Sequence, residues 1–358
     1  MSKLPDRLAR LLRSDVQGMH AYAVQPSAGL VKLDAMENPH RLSPQLQRQL
    51  GERLGAVAIN RYPGSRLDDL KAALHRHAQV PAGFQLMLGN GSDELISMLA
   101  MACDVPGATI VAPVPGFVMY AMSAQLQGLK FVGVDLTPDF ELDERAMLAA
   151  IEQHQPSIVY LAYPNNPTAN LWDDAAIERI VQAAPGLVVM DEAYQPFASR
   201  SYIDRIGRHE HVLLMRTLSK FGLAGVRIGY LIGREALIAE VDKVRPPYNV
   251  SVLNAEAALF ALEHADVFEA QAADLRAERG RLLERLAQLP GVQAWHSDAN
   301  MVLVRVPDAA RTFAGMKQRG VLVKNVSTMH PLLARCLRLT VGTADENAQM
   351  LAALQQSL

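Results

Sequence analysis

Between residues 65 and 245, short apolar runs alternate with amphipathic stretches, and that alternation restricts the chain to one class of architecture. The runs "FQLML" (84–88), "ATIVAP" (108–113), "LKFVGVDL" (129–136), "SIVYLAYP" (157–164), "LVVMDEA" (187–193) and "HVLLMRTLS" (211–219) read as strands. Between them, "SRLDDLKAALHRHA" (65–78), "SDELISMLAMAC" (92–103), "DERAMLAAIEQH" (143–154) and "AAIERIVQAA" (175–184) repeat apolar residues at helical spacing. Strands that are apolar on both faces need cover on both faces. The pattern therefore predicts an α/β fold, a mostly parallel sheet flanked by helices.

Downstream the pattern changes. "EAALFALEHADVFEAQAADLRAERGRLLERLAQL" (256–289) reads as one long amphipathic helix, followed by strands "ANMVLVRV", "GVLVKNV" and "CLRLTVG", an intervening helix "DAARTFAGMKQR" and a closing helix. This is a smaller α+β unit. The extended, proline-interrupted "GLVKLDAMENPHRL" (29–42) packs with that unit or against a second subunit. The expected division is a large domain at 45–245, with 1–44 and 246–358 forming the small one.

Composition narrows the function classes. Half of the 358 residues are hydrophobic, enough for a sizeable core, and the formal net charge of −2 is spread without a basic block, which argues against nucleic acid or anionic lipid as ligand. No apolar run approaches the ~18 residues of a membrane span. The N-terminal "MSKLPDRLARLLRSDV" sets Leu4, Leu8 and Leu12 at helical spacing with charges between them, unlike a secretory signal. Two cysteines, Cys103 and Cys336, do not make a disulfide framework, so a reducing cytoplasm is expected. His75 and His77, two apart on a helix, face different ways, and no metal site is expected.

Ligands of open α/β sheets gather beyond the carboxyl ends of the strands. After "QLML" comes "GNGSDE", where Gly89 and Gly91 allow a tight turn, Ser92 can cap the next helix, and the helix N-terminus offers an anion site. Asn166 lies in the turn "NNPT". Asp191 sits where an apolar strand ends, partly desolvated, and wants either a cationic side chain or a protonated ring nitrogen. Lys220 follows "HVLLMRTLS" at the same rim; burial lowers a lysine's pKa and exposes the nucleophilic amine that condensation with an aldehyde requires. Thr217 and Ser219 add hydroxyls, Arg227 a guanidinium suited to a phosphate, and Tyr194 a phenol. An amine, an acid, an amide, a phenol and an anion nest together match pyridoxal phosphate.

In order and spacing, "SIVYLAYPNNPT", "VVMDEAY" and "RTLSKFGLAGVRIGY" resemble the fold-type I pyridoxal-phosphate-dependent aminotransferases. With "KLDAMENP", "RYP", "GNGSDELI" and "CLRLTVGT" the resemblance is to the histidinol-phosphate aminotransferases, and it spans roughly residues 19–347. It implies a large domain with a seven-stranded sheet and a homodimer with shared active sites. By position it further implies that Lys220 carries the cofactor covalently, Asp191 pairs with its ring nitrogen, Asn166 and Tyr194 bond its ring oxygen, and Tyr120 stacks on the ring. Ser92 and Asp93 through their backbone, with Ser219, Arg227 and the other subunit's Tyr62, would hold the phosphate, and Thr217 would complete the cofactor-binding set. Arg338 would bind the acidic group of the substrates, and Tyr22 and Asn38 would line the pocket. The implied reaction converts L-histidinol phosphate and 2-oxoglutarate to imidazole acetol phosphate and L-glutamate, in histidine biosynthesis. Threonine-phosphate decarboxylases share most of these motifs and are one alternative; aromatic aminotransferase activity is a further one.

Four positions depart from that pattern. Met36 stands where asparagine is common and Ala169 where glycine is usual, both changes the backbone is expected to tolerate. The Lys220–Arg227 loop is one residue shorter than the common form. Lys324 stands roughly where many members carry a second arginine, so a bidentate grip is lost there.

Overall fold

The computed structural model describes residues 4–19 and 25–358. The strands, in chain order, are β1 (Val31–Lys32), β2 (Phe84–Gly89), β3 (Thr109–Val114), β4 (Lys130–Asp135), β5 (Ile158–Ala162), β6 (Leu187–Asp191), β7 (Val212–Thr217), β8 (Gly229–Arg234), β9 (Gln293–Ala294), β10 (Met301–Arg305), β11 (Val321–Leu322), β12 (Lys324–Asn325) and β13 (Cys336–Thr340). Seven of them form one sheet in the order β2-β8-β7-β6-β5-β3-β4. All run the same way except β8, which is antiparallel to both neighbours.

Alternation along each strand feeds two cores. Leu86, Val159, Leu161, Val188, Met190, Val212 and Leu214 enter the core on one face. Met87, Ile158, Tyr160, Val189, Leu213 and Met215 enter the core on the other. Near-continuous apolar runs are what a sheet covered on both sides requires. A third core, built on Leu275, Leu282, Val302, Val304, Leu337 and Leu339, belongs to the C-terminal unit and takes in Leu33 from the N-terminal stretch and Tyr194 from beyond β6. There β12, β13, β10 and β9 make an antiparallel sheet, and β1 pairs with β11, so the extended N-terminal segment joins this unit.

Three local expectations change. Strand β8, "GYLIGR", does not stand out as a strand in the sequence because two glycines and an arginine interrupt it. The helix Val118–Gln127 is equally inconspicuous: it buries Tyr120, Ser123 and Ala124, two of which are too small to mark an apolar face. The long C-terminal helix is two, Val252–Glu263 and Ala265–Leu286, parted at His264, whose φ of −118° and ψ of 35° are not helical.

Both substituted family positions sit in the left-handed region of backbone space. Met36 has φ 53° and Ala169 φ 66°. Asparagine and glycine occupy that region with least strain, which explains their frequency at these places. Hydrogen bonds hold the two residues there: Met36 N–H donates to the Thr340 hydroxyl, and Ala169 N–H to the Asn165 carbonyl.

Candidate active site

The parallel strands deliver their carboxyl ends to one edge, and the reversed β8 delivers its amino end to the same edge. Ser92 follows β2, Phe117 and Tyr120 follow β3, Asn166 follows β5, Asp191 closes β6, Lys220 follows β7, and Arg227 precedes β8. They meet around a cavity of about 120 Å³, lined also by Asp93, Tyr194, Thr217, Ser219, Met36, Ala162, Pro164 and Ala193.

At one end lies a cradle for an anion. The helix Ser92–Ala102 begins at Gly91 (φ 85°, ψ 166°), with no side chain capping it. Ser92 is thus the first helical residue rather than the cap, and the leading N–H groups are left for a ligand. Backbone φ favours glycine at position 91, where the nearest atoms are the flexible end of Arg227, and space requires it at position 229, where they are backbone. A Cβ on Gly91 would lie 2.5 Å from Arg227 Nη2, and one on Gly229 would lie 2.6 Å from the Gly91 carbonyl carbon and the Ser92 nitrogen. Arg227, in the left-handed conformation, reaches Asp93 across the cradle at 3.3 Å, so the shorter loop still carries the guanidinium to the rim. The Thr217 hydroxyl accepts from Ser219 N–H at 3.1 Å and lies 3.0 Å from the Ser219 hydroxyl.

At the other end, burial dominates the charges. Asp191 Oδ2 accepts from the Tyr120 hydroxyl at 2.6 Å and Oδ1 from Ala193 N–H at 3.0 Å. Burial pushes its carboxyl up to about 6 against the pull of those two bonds. Lys220 Nζ donates to the Ala35 carbonyl at 2.9 Å. Burial, reinforced by the positive charge of Arg338, brings the Lys220 amine down to about 8. Burial likewise raises the Tyr194 phenol, so it stays protonated and can donate. Arg338 donates to Asn166 Oδ1 and to the Asp34 carbonyl, each at 2.7 Å, which turns the Asn166 amide NH₂ into that residue's remaining polar group.

Some residues fall elsewhere than expected. The Tyr120 ring, expected to stack on the cofactor, lies parallel to Tyr160 at 4.3 Å, and Phe117 supplies the other aromatic wall of the cavity. Asn38 is not in the cavity wall; its amide donates to Gln271 and to the Phe221 carbonyl, bracing the chain just after Lys220. Tyr62, expected to serve the other subunit's site, is 74% exposed, stacks on Tyr248 and does not line its own chain's cavity. Tyr22 lies outside the described residues. Lys324 stands directly opposite Arg338 across β12 and β13, which brings a second cation beside it. Met36, Phe117, Ala162, Pro164 and Ala193 went unrecognised in the sequence; Ala162 and Ala193 sit at strand ends, the signal that found Asp191.

The cavity meets the demands of pyridoxal phosphate on its own geometry: a cradle that any Cβ would fill, a basic side chain above it, a buried carboxylate and a buried lysine with a depressed pKa. A sequence profile of the family described as aminotransferase class I and II matches residues 28–354. The chain is 71% identical over 360 residues to the histidinol-phosphate aminotransferase of Polaromonas naphthalenivorans, covering 100% of this chain and 99% of that one. It is 72% identical over 355 residues to the protein of the same name from Methylibium petroleiphilum, covering 98% and 96%. Among solved structures it superposes on the histidinol-phosphate aminotransferase of Sinorhizobium meliloti in complex with pyridoxal-5'-phosphate with a TM-score of 0.84 at 26% identity, over 97% of each chain.

Proposed function

We propose a function from one premise, that this chain belongs to the aminotransferase class I and II family. It is a pyridoxal-phosphate-dependent transaminase that moves the amino group between L-histidinol phosphate and 2-oxoglutarate, giving imidazole acetol phosphate and L-glutamate. The observation that carries this reading is the full-length identity of about seven residues in ten to two histidinol-phosphate aminotransferases.

Bound pyridoxal phosphate supplies an aldehyde carbon for the amine and a ring that takes up the electron pair left at the substrate α-carbon. This chain's residues do the rest. Ser92 and Asp93 N–H, the Thr217 and Ser219 hydroxyls and Arg227 would hold the phosphate, and Asn166 Nδ2 and Tyr194 would donate to the ring oxygen. Asp191 would keep a proton on the ring nitrogen; the two donors it already meets favour its ionised form. Lys220, neutral in part near pH 7.5 because its amine titrates at about 8, would take the proton from the substrate α-carbon and return it to the cofactor's aldehyde carbon. Arg338, with Lys324 beside it, suits both substrates because phosphate and carboxylate each present a pair of anionic oxygens that a guanidinium can grip.

Tyr62, exposed and outside the lining of its own cavity, would reach the phosphate of a second copy, making the enzyme a homodimer. We place it in the cytoplasm: no described helix is long and apolar enough to cross a membrane, and both cysteines are free thiols. The test is steady-state assay of the cofactor-loaded protein with a panel of amine donors and 2-oxoglutarate as acceptor. Glutamate should form fastest with L-histidinol phosphate. Carbon dioxide release from phosphothreonine, or preference for an aromatic amino acid, would overturn the assignment.

A further inference from the structure

We infer that Tyr120 is the positioning residue for the carboxylate of Asp191, holding it ionised and fixed in direction by donating its hydroxyl to Oδ2. The inference rests on the reading that Asp191 serves a ring nitrogen; the contact itself, at 2.6 Å, is independent of that reading.

The hydroxyl has little choice of direction. Tyr120 is 2% exposed, its ring lies parallel to Tyr160 at 4.3 Å and 7°, and Phe117 meets it edge-on at 5.7 Å and 85°. A ring clamped in this way delivers its O–H at one point. Ala193 N–H fixes the second oxygen, so each oxygen of Asp191 has one protein donor. The surroundings otherwise oppose ionisation. Burial raises the carboxyl, and Asp93 from the helix at the anion cradle and Glu192 next in sequence add negative charge; the Tyr160 and Tyr194 phenols also face it. Tyr120's own proton is secure, because burial and the neighbouring carboxylate push its phenol well above 10. Tyr120 thus donates and never competes for the proton. A charge-assisted hydrogen bond inside a dry site is among the stronger ones a protein makes, and here it acts on the group that sets the charge of the cofactor ring.

Tyr120→Phe removes the hydroxyl and keeps the stack. In cofactor-free protein labelled with ¹³C at the aspartate carboxyls, the Asp191 titration midpoint should rise by about one pH unit or more. In protein loaded with ¹⁵N-labelled pyridoxal phosphate, the ring-nitrogen signal should move toward the unprotonated position, and kcat should fall about tenfold with KM within about twofold. An Asp191 midpoint and nitrogen signal equal to those of the wild type would overturn the inference whatever happens to turnover. If the wild type takes up no cofactor, the functional reading fails instead, and the carboxyl titration still decides the role of Tyr120.

Discussion

Replacing Lys220 with methionine should make the cofactor-free protein more stable at neutral pH, and the gain should disappear in alkali. The amine, ordinarily at 10.5, titrates at about 8 in the fold because burial and Arg338 disfavour its charge. A depressed lysine pKa means that the folded state bears the cost of an unwanted ammonium. Below about pH 8 both folded and unfolded chains carry the proton, and the cost is complete. Between about 8 and 10.5 the folded chain has released the proton while the unfolded chain retains it, so wild-type stability climbs relative to the variant; above 10.5 neither is charged. At about 1.4 kcal/mol for each pH unit, the gap amounts to about 3 kcal/mol. That is a ceiling, because the side chain keeps some contact with water. The lost hydrogen bond to Ala35 offsets every reading by a roughly constant ~1 kcal/mol and leaves the slope intact. Urea unfolding of both proteins at intervals from pH 7 to 10.5 measures the difference directly. Parallel stability profiles over that range would show that Lys220 is not electrostatically frustrated and would remove the physical basis for its reactivity.

Three further substitutions probe the surroundings. Gly229→Ala drives a Cβ into the backbone of Gly91 and Ser92, so the cradle must open; pyridoxal phosphate affinity, followed by fluorescence titration, should weaken tenfold or more. Ala169→Gly, at a position with φ 66°, should raise stability by about 0.5–1 kcal/mol in chemical denaturation with turnover unchanged, since the relief of left-handed strain exceeds the entropy glycine adds to the unfolded chain. Arg338→Gln removes the buried cation and should raise KM for both L-histidinol phosphate and 2-oxoglutarate by about tenfold or more; an effect on one substrate alone would refute a shared anion site.

The cavity residues that were legible in advance share one property: each sits at or shortly after the carboxyl end of a strand, where local sequence fixes position. Lys220, Asp191, Asn166, Ser92 and Thr217 could be placed that way because the apolar runs preceding them admit one register. The orientation of side chains could not. Tyr120 was visible as an aromatic near the rim, but whether its face met a ligand or Tyr160 depended on a strand 40 residues away. Asn38 turned to Gln271 for the same kind of reason, since the partner lies on a helix more than 200 positions downstream. Strand β8 escaped notice because its glycines, of which Gly229 allows close approach to the anion cradle, erase the apolar signature that a strand normally shows.

The sequence by itself determined the layered α/β class, the covered two-faced sheet and the set of reactive groups, because hydrophobic period and strand-end position are local quantities. Tertiary structure decided what those groups are worth. Only packing could bury Lys220 beside Arg338, lower its pKa, and hang Asp191 between Tyr120 and Ala193, because desolvation and charge act through distances in space that residue order does not encode.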